Sequence, residues 1–317
     1  MEYNVLGKAG FEVSALSFGA SSLGGVFGVV DEAEGIRAVH TALEAGINYL
    51  DVAPAYGATA AETVLGRALQ GVPRERYHLS TKAGKYTRPD GSEEMDYSEG
   101  RIRAGLAESM ERLGVERLGL VHLHDFEYGG GVHLAQAFAE GFPTLAALKA
   151  EGRIGAVGAG TYPLDVWERV VAEAPVDAIM MHNHFCLSDT RGLELVEACR
   201  EREIGIINAS PFACGLLTER GAPGWHPASG PQRRVFAEAV HYCEERGSSL
   251  AKLALQFATQ QGPFHSTMFS SARPESVERN LAWMREPLDP DLLAAVREIL
   301  APVLNTQWQF DALSEDE

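Results

Sequence analysis

Short apolar, β-branched runs alternate along the chain with longer stretches whose apolar residues recur every three or four positions. A period of two marks strands and one near 3.6 marks helices, so the order reads as repeated βα units, the pattern of a parallel sheet. The strand-like runs end near Phe18, Asp51, Lys82, His124, Val157, Met181, Asn208 and Phe269, with helical stretches such as 32–44 and 99–112 between them. Eight units in 317 residues predict an α/β fold, a single closed (β/α)8 TIM barrel rather than an open doubly wound sheet. A small hairpin pairing 3–5 with 11–13 precedes the repeat.

No G-x-G-x-x-G or phosphate loop occurs; Gly24, Gly25 and Gly28 follow the first strand at spacings that fit neither and read as a flexible βα loop. The segment 223–231 reads as a long loop, and nothing rich in Pro and Ser splits the chain, so 1–317 is expected to form one domain. The acidic end, 311–317, is expected to fray.

Active groups of such barrels lie at the carboxyl ends of strands, which singles out polar residues that close apolar runs. Asp51, Lys82 and His124 do so on successive units, and Tyr56 follows Asp51 in the same loop. A phenol titrates near 10, and an adjacent ammonium favours its phenolate, so Lys82 would tune Tyr56 for proton transfer. Asp51 would hold that ammonium, and His124 would orient a substrate oxygen. Singly, each has an ordinary explanation: a capping carboxylate, a surface cation, loop packing and a core histidine. Jointly, those explanations require four unrelated choices to fall on neighbouring strand ends.

Forty-four acidic against 27 basic residues give a formal charge of −17, with no polybasic stripe for nucleic acid or anionic lipid. No apolar run approaches the roughly 20 residues of a membrane span, and the first residues lack the features of a signal peptide. Cys186, Cys199, Cys214 and Cys243 are too scattered for a disulfide framework. A cytoplasmic protein acting on a small molecule is the expectation; oligomeric state is not legible.

The stretch GINYLDVAPAYG at 46–57, with STK at 80–82 and LHD at 123–125, resembles the aldo-keto reductase superfamily, from the hairpin to about Leu304. FGASSLGGVFG at 18–28, HDFEYG at 124–129 and ASPFACGLLTERGAPGWHPAS at 209–229 are similar to its L-galactose dehydrogenase branch. The resemblance implies a nicotinamide-dependent oxidoreductase without a metal, in which Tyr56 is proton donor or base, Lys82 and Asp51 tune it, and His124 positions the substrate. It further implies oxidation of an aldose at the anomeric carbon to a lactone, sugars like L-galactose or L-fucose being favoured; a general aldehyde or ketone reductase is the alternative.

For the cofactor, the resemblance places Gly160, Thr161 and His182 around the carboxamide, though many members have Ser-Asn and Gln at those positions. It places Ser210, Phe212 and Gly215 to Leu217 around the pyrophosphate, partly through backbone N–H groups. Ser270, Ser271, Arg273, Ser276, Arg279 and Asn280 fall at the adenosine end, with Arg279 where the family has Glu. NAD is favoured over NADP, because Ser270 and Ser276 stand where NADP-preferring members place Lys and Arg; Arg273 and Arg279 keep NADP open. Substrate contacts are expected from the mouth aromatics Phe27, Phe126, Tyr128 and Trp225, with His133, Tyr162 and Phe185 as further candidates.

Two other classes compete. His122 with His124, and His182 with His184, alternate on two strands and could serve a metal-dependent barrel hydrolase, although that chemistry gives Tyr56 and Lys82 no task. A cofactor-sensing subunit without turnover is the other.

Overall fold

A computed structural model describes residues 1–88 and 90–310. A hairpin of β1 (Tyr3–Val5) and β2 (Glu12–Ser14) precedes the barrel, whose strands are β3 (Leu16–Gly19), β4 (Tyr49–Asp51) and β5 (His78–Ala83), then β8 (Leu118–His124), β9 (Ile154–Gly160), β10 (Ala178–His182), β11 (Gly205–Ala209) and β12 (Ser266–Ser270); β6 (Lys85–Thr87) and β7 (Glu93–Met95) form a separate antiparallel pair. The eight barrel strands pair in parallel in chain order, and β12 closes on β3. Every expected strand is present, ending within three residues of its predicted end. The first hairpin pairs one residue further along its second arm than expected. The acidic end 311–317 lies outside the described residues.

The helices follow local capping chemistry. Asp31 accepts from the Glu34 N–H to start Glu32–Glu44; Ser98 does the same for Arg101 at Glu99–Leu113, which stops at left-handed Gly114. Ser229 and Gln232 form a reciprocal capping box on helix Gly230–Glu244. Pro231 therefore sits in the first helical turn, where its missing N–H costs nothing, and the expected 223–231 loop ends sooner than predicted.

Side chains alternate in and out of the barrel wall. Leu6, Val13, Tyr49, Leu120, Ala156, Ala178, Met180, Ile207 and Met268 pack as its interior, with Leu6 and Val13 of the hairpin region closing one end. Above that layer the interior becomes polar. The Tyr49 hydroxyl donates to Ser80 (2.8 Å) and lies 3.4 Å from His122 Nε2, while Ser80 donates to Asp51 (2.6 Å). A Cβ on Gly158 would meet the His122 ring at 2.4 Å, so this imidazole occupies the space left by a missing side chain. Among the described residues, no helix is long and apolar enough to cross a membrane.

Candidate active site

Asp51, Lys82 and His124 stand at the carboxyl ends of β4, β5 and β8, one strand apart, so parallel pairing sets them side by side. Lys82 Nζ is ion-paired with Asp51 Oδ2 and donates to the Val52 carbonyl at 3.0 Å. Both side chains are buried, and the ammonium lies 5.0 Å from the centroid of the Tyr56 ring. That ring meets His124 edge to face, with centroids 6.1 Å apart. The four groups expected from the sequence thus converge on one mouth.

Tyr56 is held there by backbone contact. A Cβ on Gly24 would lie 2.6 Å from the Tyr56 carbonyl oxygen, and one on Gly57 would lie 2.0 Å from that of Gly24. Gly57 is also left-handed, at φ +61°. Gly24, expected only to loosen a loop, lets the loops after β3 and β4 touch main chain to main chain.

Burial pushes the Tyr56 phenol above its usual value; Lys82 pulls it down, and Asp51 and Asp125 push it up further. The expected lowering by Lys82 is present but does not win, because the ring leaves water and the ammonium is shared with Asp51. Lys82 itself is raised: Asp51 and Tyr56 together outweigh the desolvation that opposes them. Burial carries His124 down to about 3, against the pull of Asp125 and helped by Lys82 and Lys85. Its imidazole is neutral near pH 7 and can share a hydrogen bond with a substrate oxygen. Nδ1 has no protein partner, and Nε2 lies 3.5 Å from Asp125 Oδ1.

These groups open into a cavity of about 910 Å³, near the upper end of the roughly 300–1,000 Å³ of small-molecule and cofactor sites. It runs past Gly160, Thr161 and His182 to Ser210, Phe212 and Gly215, then to Ser270, Ser271, Arg273, Ser276, Arg279 and Asn280. The far end suits a dinucleotide: two exposed arginines and the N-terminus of helix Pro274–Arg285 favour phosphate there. Ser270 accepts from the Ser22 N–H (2.9 Å) and from the Ser21 hydroxyl (3.0 Å), so it ties the first βα loop to β12. Arg279 lies 3.4 Å from the Ser276 hydroxyl and over Trp283.

Some expected contacts fall elsewhere. Leu217 is fully buried against the helices and does not line the cavity, and the N–H groups of Gly215, Leu216 and Leu217 are spent on the Phe212 and Ala213 carbonyls. A pyrophosphate cradle of those N–H groups is therefore not what the turn offers. Phe126 is likewise fully buried, among Tyr97, Phe138 and Phe142. Asp125 adopts φ +49° directly after β8 and turns the chain so that Phe126 faces the helices instead of the mouth. Phe185 stacks on Phe257, and His133 lies beside Tyr97, both outside the cavity. Phe27, Tyr128, Tyr162 and Trp225 do line it; Phe27 and Trp225 approach within 6.1 Å, and Lys85 sits 3.9 Å over the Tyr128 ring.

The mouth also holds groups that the sequence reading passed over. Lys85, on the unforeseen β6, pairs with Asp125 (2.9 Å) and Glu93 (3.3 Å), and Glu127 is buried nearby. Their signal was available: three acids or cations lie within three residues of Lys82 or His124. The histidine pairs do not converge. His122 contacts the Ala159 carbonyl and Tyr49, His184 bonds the Tyr162 carbonyl, and His182 lies 3.3 Å from Cys214 Sγ. Among the described residues, no three His, Cys, Asp or Glu side chains form a metal-ligating group.

Residues 15–301 match the Aldo/keto reductase family. The chain is 38% identical to an L-galactose dehydrogenase from Arabidopsis thaliana, over 97% of each chain. It is 33% identical to a D-threo-aldose 1-dehydrogenase from a Pseudomonas species, over 92% of this chain and 95% of that one. In fold it resembles an aldo-keto reductase from Bacillus halodurans solved in its holo form, with TM-score 0.76 and 24% identity over 100% and 99% of the two chains. The chain belongs to the aldo/keto reductase family, oxidoreductases that work with nicotinamide cofactors.

Proposed function

We propose that the chain is an NAD-dependent aldose dehydrogenase that oxidises the anomeric carbon of a free sugar to a lactone, with sugars like L-galactose or L-fucose favoured. One observation carries the chemistry: a buried ammonium shared between Asp51 and the face of Tyr56, beside a neutral His124. The sugar class is supported by the two aldose-oxidising relatives.

A bound nicotinamide supplies the acceptor for the hydride leaving C1. The chain's own residues handle the proton and the orientation. Tyr56, as phenolate, takes the proton of the anomeric hydroxyl, and Lys82 stabilises the negative oxygen until then. Asp51 keeps the ammonium at that point. Neutral His124 donates to the substrate oxygen without adding a charge, and Phe27, Tyr128 and Trp225 offer apolar faces to the sugar ring. Gly160 and His182, on the cavity wall, would hold the nicotinamide, and Arg273, Ser276, Arg279 and Asn280 would hold the adenosine, which leaves the Thr161 side chain free for the substrate. NAD is favoured over NADP because serines occupy positions 270 and 276 and Arg279 is engaged with Ser276 and Trp283. Four buried free thiols agree with a cytoplasmic location.

The test is a panel of L- and D-aldoses with NAD and with NADP, followed by absorbance of the reduced cofactor. L-sugars of the galactose and fucose type with NAD should give the highest kcat/KM. Failure to oxidise any aldose, with reduction of simple aldehydes instead, would replace this reading with a general carbonyl reductase.

A further inference from the structure

Three residues past His124, Glu127 turns back into the cavity. Its side chain is 7% exposed, and Oε1 accepts the Tyr162 N–H at 3.0 Å. Oε2 is buried and has no protein partner. Thr161, 2% exposed and also on the cavity wall, lies close enough to pull the Glu127 carboxyl down, yet its Oγ1 completes no hydrogen bond within the protein. Because His124 pairs in register with Gly160, the residues that follow these two strand ends share one sector of the mouth. This sector is next to the reacting centre and far along the cavity from Arg273 and Asn280.

We propose that Glu127, with Thr161 beside it, is a specificity-determining pair that binds one ring hydroxyl of the sugar and selects polyhydroxylated substrates over plain aldehydes. The inference rests on the aldose reading above. A hydroxyl both donates and accepts, as does a neutral carboxylic acid, so one substrate O–H can satisfy the pair in both directions. The surroundings favour the neutral form: burial first, then the negative Asp125, push Glu127 up to about 8, while Thr161 pulls it partly back. Lys85 does not neutralise it, being committed to Asp125 and Glu93. A substrate lacking that hydroxyl would leave these two buried polar groups with only their incomplete contact to each other, the situation in which a site discriminates by large factors.

The experiment compares wild type, Glu127→Gln and Glu127→Ala on a parent aldose, its monodeoxy analogues and an unsubstituted aliphatic aldehyde run in the reductive direction. Binding of NAD and the melting temperature are measured alongside. Glu127→Ala should lose about 10- to 100-fold in kcat/KM on the parent sugar. It should lose the same on every monodeoxy analogue except one, on which it matches wild type, and on the aliphatic aldehyde it should also match. Glu127→Gln, which keeps an acceptor and a donor, should recover most of the loss while NAD affinity stays unchanged in both variants. Equal losses on all sugars and on the aldehyde, or a loss of NAD affinity, would overturn the proposal and assign Glu127 to loop support or to the nicotinamide. A wild type that turns over the aldehyde but no sugar would instead defeat the aldose reading. If Glu127→Ala does not fold, the single-analogue pattern is sought with Thr161→Val, and its absence there overturns the proposal.

Discussion

Replacing Lys82 with Met keeps the buried stem and removes the ammonium, which tests both the stability and the chemistry of the site. In the folded protein the ammonium is 2% exposed, ion-paired with Asp51 and bonded to the Val52 carbonyl. Removing one partner of such a pair leaves an uncompensated buried charge and costs about 3–5 kcal/mol. Asp51 retains only its bond from Ser80 (2.6 Å), which relieves part of that cost. At about 2 °C per kcal/mol for a chain of this size, the melting temperature should fall by about 6–10 °C. Adding Asp51→Asn removes the orphaned charge, so the double variant should be more stable than Lys82→Met alone by about 1–3 kcal/mol. Turnover behaves differently. Without the cation, nothing offsets the burial and the negative Asp125 that raise Tyr56 in both variants, with Asp51 adding to them in the single one, so aldose oxidation should fall by about 10²–10⁴-fold in both. Thermal unfolding and initial rates at one pH suffice. A single variant as stable as wild type, or a double variant whose loss equals the sum of the two single losses, would show that Lys82 and Asp51 are not a mutually dependent buried pair.

Tyr56→Phe should bind NAD within about twofold of wild type and lose about 10²–10⁴ in turnover, by cofactor titration and steady-state rates. Because desolvation holds the partly buried Tyr56 above its ordinary value, the oxidation rate should still be climbing at pH 10, and a plateau below pH 9 in the chemical step would contradict Tyr56 as the phenolate base. Burial lowers His122, His124 and His182 to about 4, 3 and 4, so the unfolded chain binds more protons than the folded one between those values and 6.5; urea midpoints should drop as pH falls through this window. Glu127, held at about 8, acts in the opposite sense, so stability should also decline from pH 6.5 to 8, and Glu127→Gln should flatten that decline. Ser276→Arg should shift the kcat/KM ratio toward NADP by about 10- to 100-fold, through a charge-assisted bond to the 2′-phosphate.

The barrel was legible because each strand is a short apolar run ended by a polar residue, and the tetrad was legible for the same reason: the residue that stops a strand is the one that faces the mouth. Asp51, Lys82 and His124 needed only period and spacing. Tyr56 sits off any strand, and what anchors it, main-chain contact through Gly24 and Gly57, leaves no periodic trace. The failures share one cause. Phe126 is expected at the site as a mouth-loop aromatic and Leu217 by its place in a motif, but beyond a strand end direction is set by single backbone angles such as φ +49° at Asp125, and one left-handed residue redirects every side chain after it. The same turn that sends Phe126 into the helices brings Glu127 back to the cavity. Sequence periodicity therefore reads the cluster of polar side chains on the strand ends, a place that all barrels of this kind share, and loses resolution in the loops just above it. Those loops decide which substrate fits, which makes the step from barrel to sugar the one for which coordinates add most.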